Sequence, residues 1–179
     1  MRLARSLASL SFLAVLAAIS SGAHAQTAEK KGFALSNNKP IQIESDNLEL
    51  REQEKRALFD GNVKVVQGAM TLTSDHMIVY YKGKGNSLAA GGGDIDRIEV
   101  NGNVQVVSGT QSARGEEGNF DMRTELLTLS GKQVVLVDSG NVLTGCKLTV
   151  QMKSGQATMG NCGTGRVRIL IDQQSNKSN

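Results

Sequence analysis

One phrase occurs twice in this chain and limits what it can build. Phe59-Asp60-Gly61-Asn62-Val63-Lys64-Val65-Val66 is echoed by Ile98-Glu99-Val100-Asn101-Gly102-Asn103-Val104-Gln105-Val106-Val107. In both, alternating apolar residues flank an Asp-Gly or Asn-Gly step whose two central positions tolerate positive φ. This is the strongest short-range signal for a β-hairpin, so each phrase predicts strand, tight turn, strand. A repeated hairpin predicts a fold that stacks one β unit and presents extended surfaces rather than a catalytic pocket.

Period-two alternation continues through most of the chain. Ile41 and Ile43, Leu48 and Leu50, Val63 and Val65, Met70 and Leu72, Val104 and Val106 each flank a single polar or outward residue. So do Phe120 and Met122, Leu127 and Leu129, Leu148, Val150 and Met152, and Val167, Ile169 and Ile171. Such spacing buries one face of an antiparallel sheet and wets the other. Past the N-terminal leader no stretch holds a capped 3.6-residue apolar stripe, so the fold class is all-β. Ser45-Asp46-Asn47-Leu48, Ser74-Asp75-His76-Met77, Gly118-Asn119-Phe120 and Gly145-Cys146-Lys147-Leu148 align as one repeat. Their apolar anchors Leu48, Met77, Phe120 and Leu148 lie 29, 43 and 28 residues apart. The long interval contains the glycine-rich stretch from Lys82 to Gly93, a loop insertion. About four units of roughly 28 residues therefore stack as antiparallel hairpin repeats.

The N-terminal 25 residues read as a cleaved signal peptide. Arg2 and Arg5 precede the apolar run Leu7 to Ile19, and Ala23-His24-Ala25 supplies a small-residue cleavage site. The apolar run is short for a membrane span, which takes about 20 residues. Cleavage leaves 154 of the 179 residues, enough for one domain with its own core. Within them, 26–38 and 172–179 are polar and read as disordered tails, and 39–171 as the β domain. The leader carries two of the 20 basic residues and none of the 17 acidic ones, so the mature balance is 18 against 17. A near-neutral chain lacks the concentrated basic surface that nucleic acid requires.

The inventory of reactive side chains is thin, and no enzymatic activity is expected. His76 alone remains of the two histidines, inside an alternating run and without a nucleophile elbow nearby. It reads as a polar residue on the outer face of a strand. No close metal-ligand spacing joins it to the two cysteines, and no cofactor is implied. Gly83-Lys84-Gly85 lacks the closing Lys-Ser/Thr and the following helix of a phosphate cradle. With no Trp, two Tyr and four Phe, the chain also lacks a stacking platform for sugars or single strands. Its interior would be Val, Ile, Leu and Met, a lining that suits alkyl chains and a plain core equally. A hairpin centred on Ser154-Gly155 would set Cys146 and Cys162 nearly opposite each other, at bridging distance. A structural disulfide and a pair of buried free thiols are both consistent with the spacing; redox catalysis is disfavoured because no C-x-x-C occurs.

Three longer strings then carry a resemblance. Pro40-Ile41-Gln42-Ile43-Glu44-Ser45-Asp46-Asn47-Leu48, followed by Phe59-x-Gly61-Asn62-Val63-x-Val65-x-Gln67-Gly68 and Leu72-Thr73-Ser74-Asp75-His76-Met77, resembles the LptA/OstA family of periplasmic lipopolysaccharide-transport proteins. Gly102-Asn103-Val104 and Leu127-x-Leu129-x-Gly131 extend the likeness more loosely to about residue 171. The glycine-rich insertion and the cysteine pair depart from it. The resemblance implies a twisted, slightly open β-jelly roll, apolar inside and open at both ends, located in the periplasm. It further implies a carrier that passes lipopolysaccharide from an inner-membrane-anchored partner of similar fold to an outer-membrane receptor, stacking head to tail with copies of itself. The competing reading is a secreted structural or adhesive β-solenoid with no lipid ligand.

On the carrier reading, alternation nominates the lipid-facing residues. They are Ile41, Ile43, Leu48, Leu50, Phe59, Val63, Val65, Leu72, Val104, Val106, Phe120, Met122, Leu129, Leu148 and Val150. The open sheet edges around Ile41 and Ile43 and around Val167, Ile169 and Ile171 are the expected partner surfaces, engaged by strand addition.

Overall fold

Neither Gly-Asn phrase turns the chain. In the structure, a computed structural model that describes residues 32–36, 38–83 and 93–173, both sit in the middle of long continuous strands. The strands are β1 (Gln42–Glu44), β2 (Asn47–Arg51), β3 (Arg56–Gln67), β4 (Met70–Lys82) and β5 (Asp94–Ser108). They continue with β6 (Gln111–Asp121), β7 (Leu126–Asp138), β8 (Asn141–Gln151), β9 (Gln156–Gly160) and β10 (Arg168–Leu170). A short 3-10 turn, Glu52–Glu54, links β2 to β3. The hairpin turns predicted at Asp60-Gly61 and Asn101-Gly102 are thus corrected to β-bulges, centred one residue later at Gly61-Asn62 and Gly102-Asn103. Asp60 pairs with His76 and Val63 with Ser74, so two residues of β3 oppose one of β4. The same shift separates Asn101 from Val104 in β5. Positive φ falls on Gly61 and Asn62, at 78° and 48°, and on Gly102 and Asn103, at 79° and 47°, and not on Asp60 or Asn101. A bulge and a primed turn make the same conformational demand, so one sequence signal serves both.

The true reversals lie elsewhere, at Gly68-Ala69, Gly109-Thr110 and Ser139-Gly140 on one side and at 52–55, 122–125 and 152–155 on the other. Among the described residues, ten strands form one antiparallel sheet in the order β1-β3-β4-β5-β6-β7-β8-β10. At one edge β1 and β2 share β3, and at the other β10 and β9 share β8. Sequential pairing confirms the stacking of antiparallel units, but each unit is two long bent strands rather than several short ones.

The bends align into a crease across the whole sheet. It runs through Ser45-Asp46, Gly61-Asn62, Ser74-Asp75, Gly102-Asn103, 115–116, 131–133 and Cys146, where the ladders break or change register. Folding along it brings the inner faces of two leaves together. Val63, Val65, Leu72, Val104, Val106, Ala113 and Leu136 from one leaf, and Phe59, Met77, Val79, Ile98, Phe120, Leu127 and Leu148 from the other, belong to one buried cluster. This is the jelly-roll geometry the resemblance implied. The sandwich has a vertex at the crease and a mouth between the two rows of turns.

Two contacts bear on the expected limits of the β domain. Composition predicts a disordered tail over 26–38, yet Phe33 and Leu35 are only 2% and 9% exposed and join the core cluster. Beyond the last strand, the Asp172 amide donates to Asn141 Oδ1 at 3.1 Å, one residue past the expected boundary at 171. The signal peptide, residues 26–31, the insertion from Lys84 to Gly92 and the last six residues lie outside the described residues.

Candidate functional site: an apolar interior between two open edges

Local chemistry at the crease explains why the repeated phrases exist. The Asp46 carboxylate accepts from Asn62 Nδ2 at 2.8 Å, and the Asp46 amide donates to the Gly61 carbonyl at 2.9 Å. A Cβ on Gly61 would lie 2.4 Å from Asp46 Oδ2, so only glycine leaves room for the carboxylate. The second bulge repeats this. Asp75 accepts from Asn103 Nδ2 at 2.8 Å, and a Cβ on Gly102 would lie 2.3 Å from Asp75 Oδ2. Ser-Asp on one strand is therefore the partner of Gly-Asn on the next. Cys146 occupies the position two residues before its anchor that Asp46 and Asp75 hold before theirs. It is bonded to Cys162, with a Cα–Cα distance of 5.0 Å. The β8–β9 register pairs Leu148 with Met159 and Gln151 with Gln156, so Cys146 faces Asn161 and reaches one residue beyond it. The hairpin centre is thus half a residue earlier than the Ser154 the spacing suggested.

Most residues nominated for a lipid groove share one face. Val63, Val65, Leu72, Val104, Val106, Phe120, Leu129, Leu148 and Val150 are 0–3% exposed and Phe59 is 7% exposed. Ile41, Ile43 and Met122 pack against this cluster and are partly buried. Instead of lining an open channel, they fill the interior against one another. Leu48 and Leu50, at 54% and 38% exposure, are the exceptions. They are in register all the same: Leu48 pairs with Phe59 and Leu50 with Ala57, both inward residues. They are exposed because, among the described residues, β2 ends the sheet and no further strand covers them. At the opposite end Ile169 pairs with Leu143, which itself pairs with Leu136, and is 56% exposed for the same reason. Val167 and Ile171 share its parity and are also exposed. The apolar interior therefore runs from one uncovered sheet edge to the other. At about 4.8 Å between neighbouring strands, the path from β2 to β9 spans roughly 34 Å.

Sequence reasoning missed the mouth. Residues 32–36 run there without ladder pairing and are held by side chains. The Ser36 amide donates to Gln67 Oε1 at 2.8 Å, while Gln67 Nε2 donates to the carbonyls of Ser36 and Lys39 at 2.8 and 3.0 Å. Ser108 Oγ donates to the Gly32 carbonyl at 2.9 Å. Phe33 and Leu35 point inward on either side of exposed Ala34. Burying each side chain contributes about 1.5–3 kcal/mol, and fixing each backbone residue costs about 1–2 kcal/mol. Two side chains give about 3–6 kcal/mol and three hydrogen bonds about 1.5–4.5 kcal/mol, against about 5–10 kcal/mol for five residues, so gain and cost nearly cancel and the segment is weakly held. The only trace in the sequence is the i, i+2 spacing of Phe33 and Leu35 within polar surroundings.

Outside, the surface is polar. His76 faces Asp60 across β3 and β4, with Nδ1 to Oδ1 at 2.5 Å and both side chains more than half exposed. The pair is a cross-strand contact on the outer face. Arg97 stacks on Tyr80 at 3.6 Å from the ring centroid and donates to Glu99, a bond that raises the guanidinium above its ordinary range. Tyr81, by contrast, is buried beside the mouth, and its hydroxyl has no hydrogen-bond partner among the described residues. Among the described residues no three His, Cys, Asp or Glu side chains group closely enough to hold a metal ion, and no helix is long and apolar enough to cross a membrane.

Comparison with known proteins agrees with this geometry. An uncharacterized protein of Rhizobium meliloti (strain 1021) is 47% identical over 178 residues, covering 99% of this chain and 95% of its own length. A second relative, from Rhizobium etli and described as lying in the 5′ region of an rpoN-linked probable transport protein, is 56% identical over 45 residues. That match covers 25% of this chain and 82% of the relative. In fold, the chain resembles the crystal structure of LptH, described as the LptA homologous periplasmic component of the lipopolysaccharide transport device of Pseudomonas aeruginosa. The TM-score is 0.64 at 17% identity, covering 76% of this chain and 97% of that one. Residues 42–156 match the family described as LptA/(LptD N-terminal domain) LPS transport protein, and with that match the chain belongs to this lipopolysaccharide-transport family.

Proposed function

We propose that the chain is a periplasmic carrier that takes the acyl chains of lipopolysaccharide between its two leaves and passes them along the interior. The observation that carries this reading is the apolar interior that ends in two uncovered sheet edges, with Leu48 and Leu50 at one and Ile169 at the other. A protein whose interior served only as a core would gain by capping those ends. Each acyl methylene withdrawn from water contributes about 0.8 kcal/mol, so a ten-carbon chain is held by roughly 8 kcal/mol. A closed pocket of that affinity would retain its lipid. A continuous run of similar residues lets it move between sites of nearly equal energy, with sugars and phosphates in water, and no catalytic group takes part.

The open edges supply the route in and out. Backbone groups of β1 and β2 and of β10 are free to add strands from a partner: an inner-membrane export component at one end, an outer-membrane receptor at the other, or further copies head to tail. Because the leaves are packed together in this structure, loading requires them to part.

Site-specific photocrosslinking in living cells tests the reading, with the probe at inward Phe59 and, separately, at outward Lys64. A lipopolysaccharide adduct at Phe59 and none at Lys64 is the expected result. Folded, abundant protein with adducts at neither position would show instead that the interior is a plain core.

A further inference from the structure

We propose that residues 32–36 act as a strap across the mouth of the sandwich, with Phe33 and Leu35 standing in for acyl chains, and that lipid is admitted only as the strap is displaced. The inference rests on the carrier reading above and adds a gate to it. Three observations converge on it. First, the two side chains belong to the same buried cluster as residues of both leaves, so they occupy the volume an acyl chain would take. Second, the strap is fastened by polar side chains set into an apolar wall. Gln67, Ser74 and Ser108 are the buried polar residues of the described interior, and two of them, Gln67 and Ser108, bond the strap backbone. Both stand at turns on one rim of the mouth, where departure of the strap would return their polar atoms to water and not strand them in a core. Such a fastening opens without leaving an orphaned donor. Third, the strap does not seal the mouth. Ala34, Leu35 and Ser36 form one wall of a cleft of about 390 Å³ whose far wall is Met122, Glu125 and Met152 on the opposite rim. That cleft is a foothold from which a first acyl chain can begin to replace Leu35.

A strap and a ligand that compete for one volume shift each other's populations. If the open form is a minor one, releasing the strap raises apparent affinity by the inverse of its population, and tying it down removes binding. The test uses the full mature chain and purified lipopolysaccharide. Phe33→Ser/Leu35→Ser frees the strap. Ser36→Cys with Gln67→Cys, joined by a short bis-maleimide, fixes it, and the same variant left unjoined is its control. Since the chain contains no tryptophan, Phe33→Trp makes the strap a single-emitter reporter. The freed variant should load about tenfold more readily than wild type, and the joined variant about tenfold less readily than its control. Indole emission from the Phe33→Trp variant should move to the red as lipid loads. If the joined variant loads like its control, or the indole emission stays blue during loading, the strap is overturned while the carrier reading stands. If wild type and the freed variant both fail to bind, the carrier reading falls and takes the strap with it. Should the freed variant fail to fold by circular dichroism, the joined pair and the indole reporter decide alone.

Discussion

The crease and the mouth of this sandwich are built from different materials. At the crease, bulged strands are bent at Gly61-Asn62 and Gly102-Asn103, each locked by an aspartate on the neighbouring strand, and the last step is a covalent bond between Cys146 and Cys162. At the mouth, the leaves are spanned by a segment with no ladder pairing, held by two inward side chains and by the polar groups of Gln67 and Ser108. The contrast teaches where the molecule can move. It is stiff where it bends and lightly fastened at the mouth, which is the arrangement the proposed carrier would need if loading is not to unfold it.

Breaking the crease should have the larger consequences. Replacing both cysteines, as Cys146→Ser/Cys162→Ser, removes a cross-link between residues 16 apart and should lower stability by about 3 kcal/mol. Denaturant unfolding would measure this, and amide exchange should show the loss concentrated in β8 and β9. Gly102→Ala comes next. It forces a Cβ to within 2.3 Å of Asp75 Oδ2 at a φ of 79°, and should cost about 2 kcal/mol. Combining it with Asp75→Ala removes the obstructing carboxylate, so the pair should cost less than the sum of the two single changes. Simple additivity would mean that the clamp is not what holds the bend.

The smallest expected effect belongs to the mouth. Asp121, the last residue of β6 before the turn to β7, accepts from the backbone amides of Thr124 and Arg123 at 2.8 and 2.9 Å. The Thr124 amide is the main cause that holds its carboxyl below the ordinary 3.8. A carboxyl depressed in the folded state stabilises above its unfolded value and loses that contribution as pH falls through the folded one. Wild type should therefore be slightly more stable than Asp121→Asn at pH 6, and the two should converge below about pH 4. Urea midpoints across that range would show it. A gap that widens on acidification would mean that the turn is held by something other than this carboxylate.

Much of the fold can be read from the chain, because alternation reports burial directly. The inward faces of β3 to β8 are legible at Val63, Val65, Leu72, Val104, Phe120 and Leu148 for that reason. Gly-Asn misleads because positive φ alone does not distinguish a turn from a bulge. What distinguishes them is a partner: Ser45-Asp46 and Ser74-Asp75 are visible as repeats, but only strand neighbours reveal that they clamp the following Gly-Asn. Leu48 and Leu50 fall on the expected face, yet their exposure depends on β2 being the last strand, a fact of topology. The strap escapes a reading of the chain because two apolar residues among lysines, serines and asparagines carry too little pattern to outweigh composition. Their burial comes from Gln67 and Ser108, far along the chain.

Sequential pairing also has a kinetic consequence. Each long strand from β3 to β8 pairs with the one before it, so the sheet can grow as the chain is delivered, one hairpin after another, with few distant searches. The exception is the segment that comes first in the chain. Gly32 meets Ser108 across 76 residues, and its closing bond must wait until β5 is laid down. Until the segment at the mouth is in place, part of the apolar inside stays uncovered, so the interval between delivery of Phe33 and arrival of Ser108 is when a chaperone has something to hold.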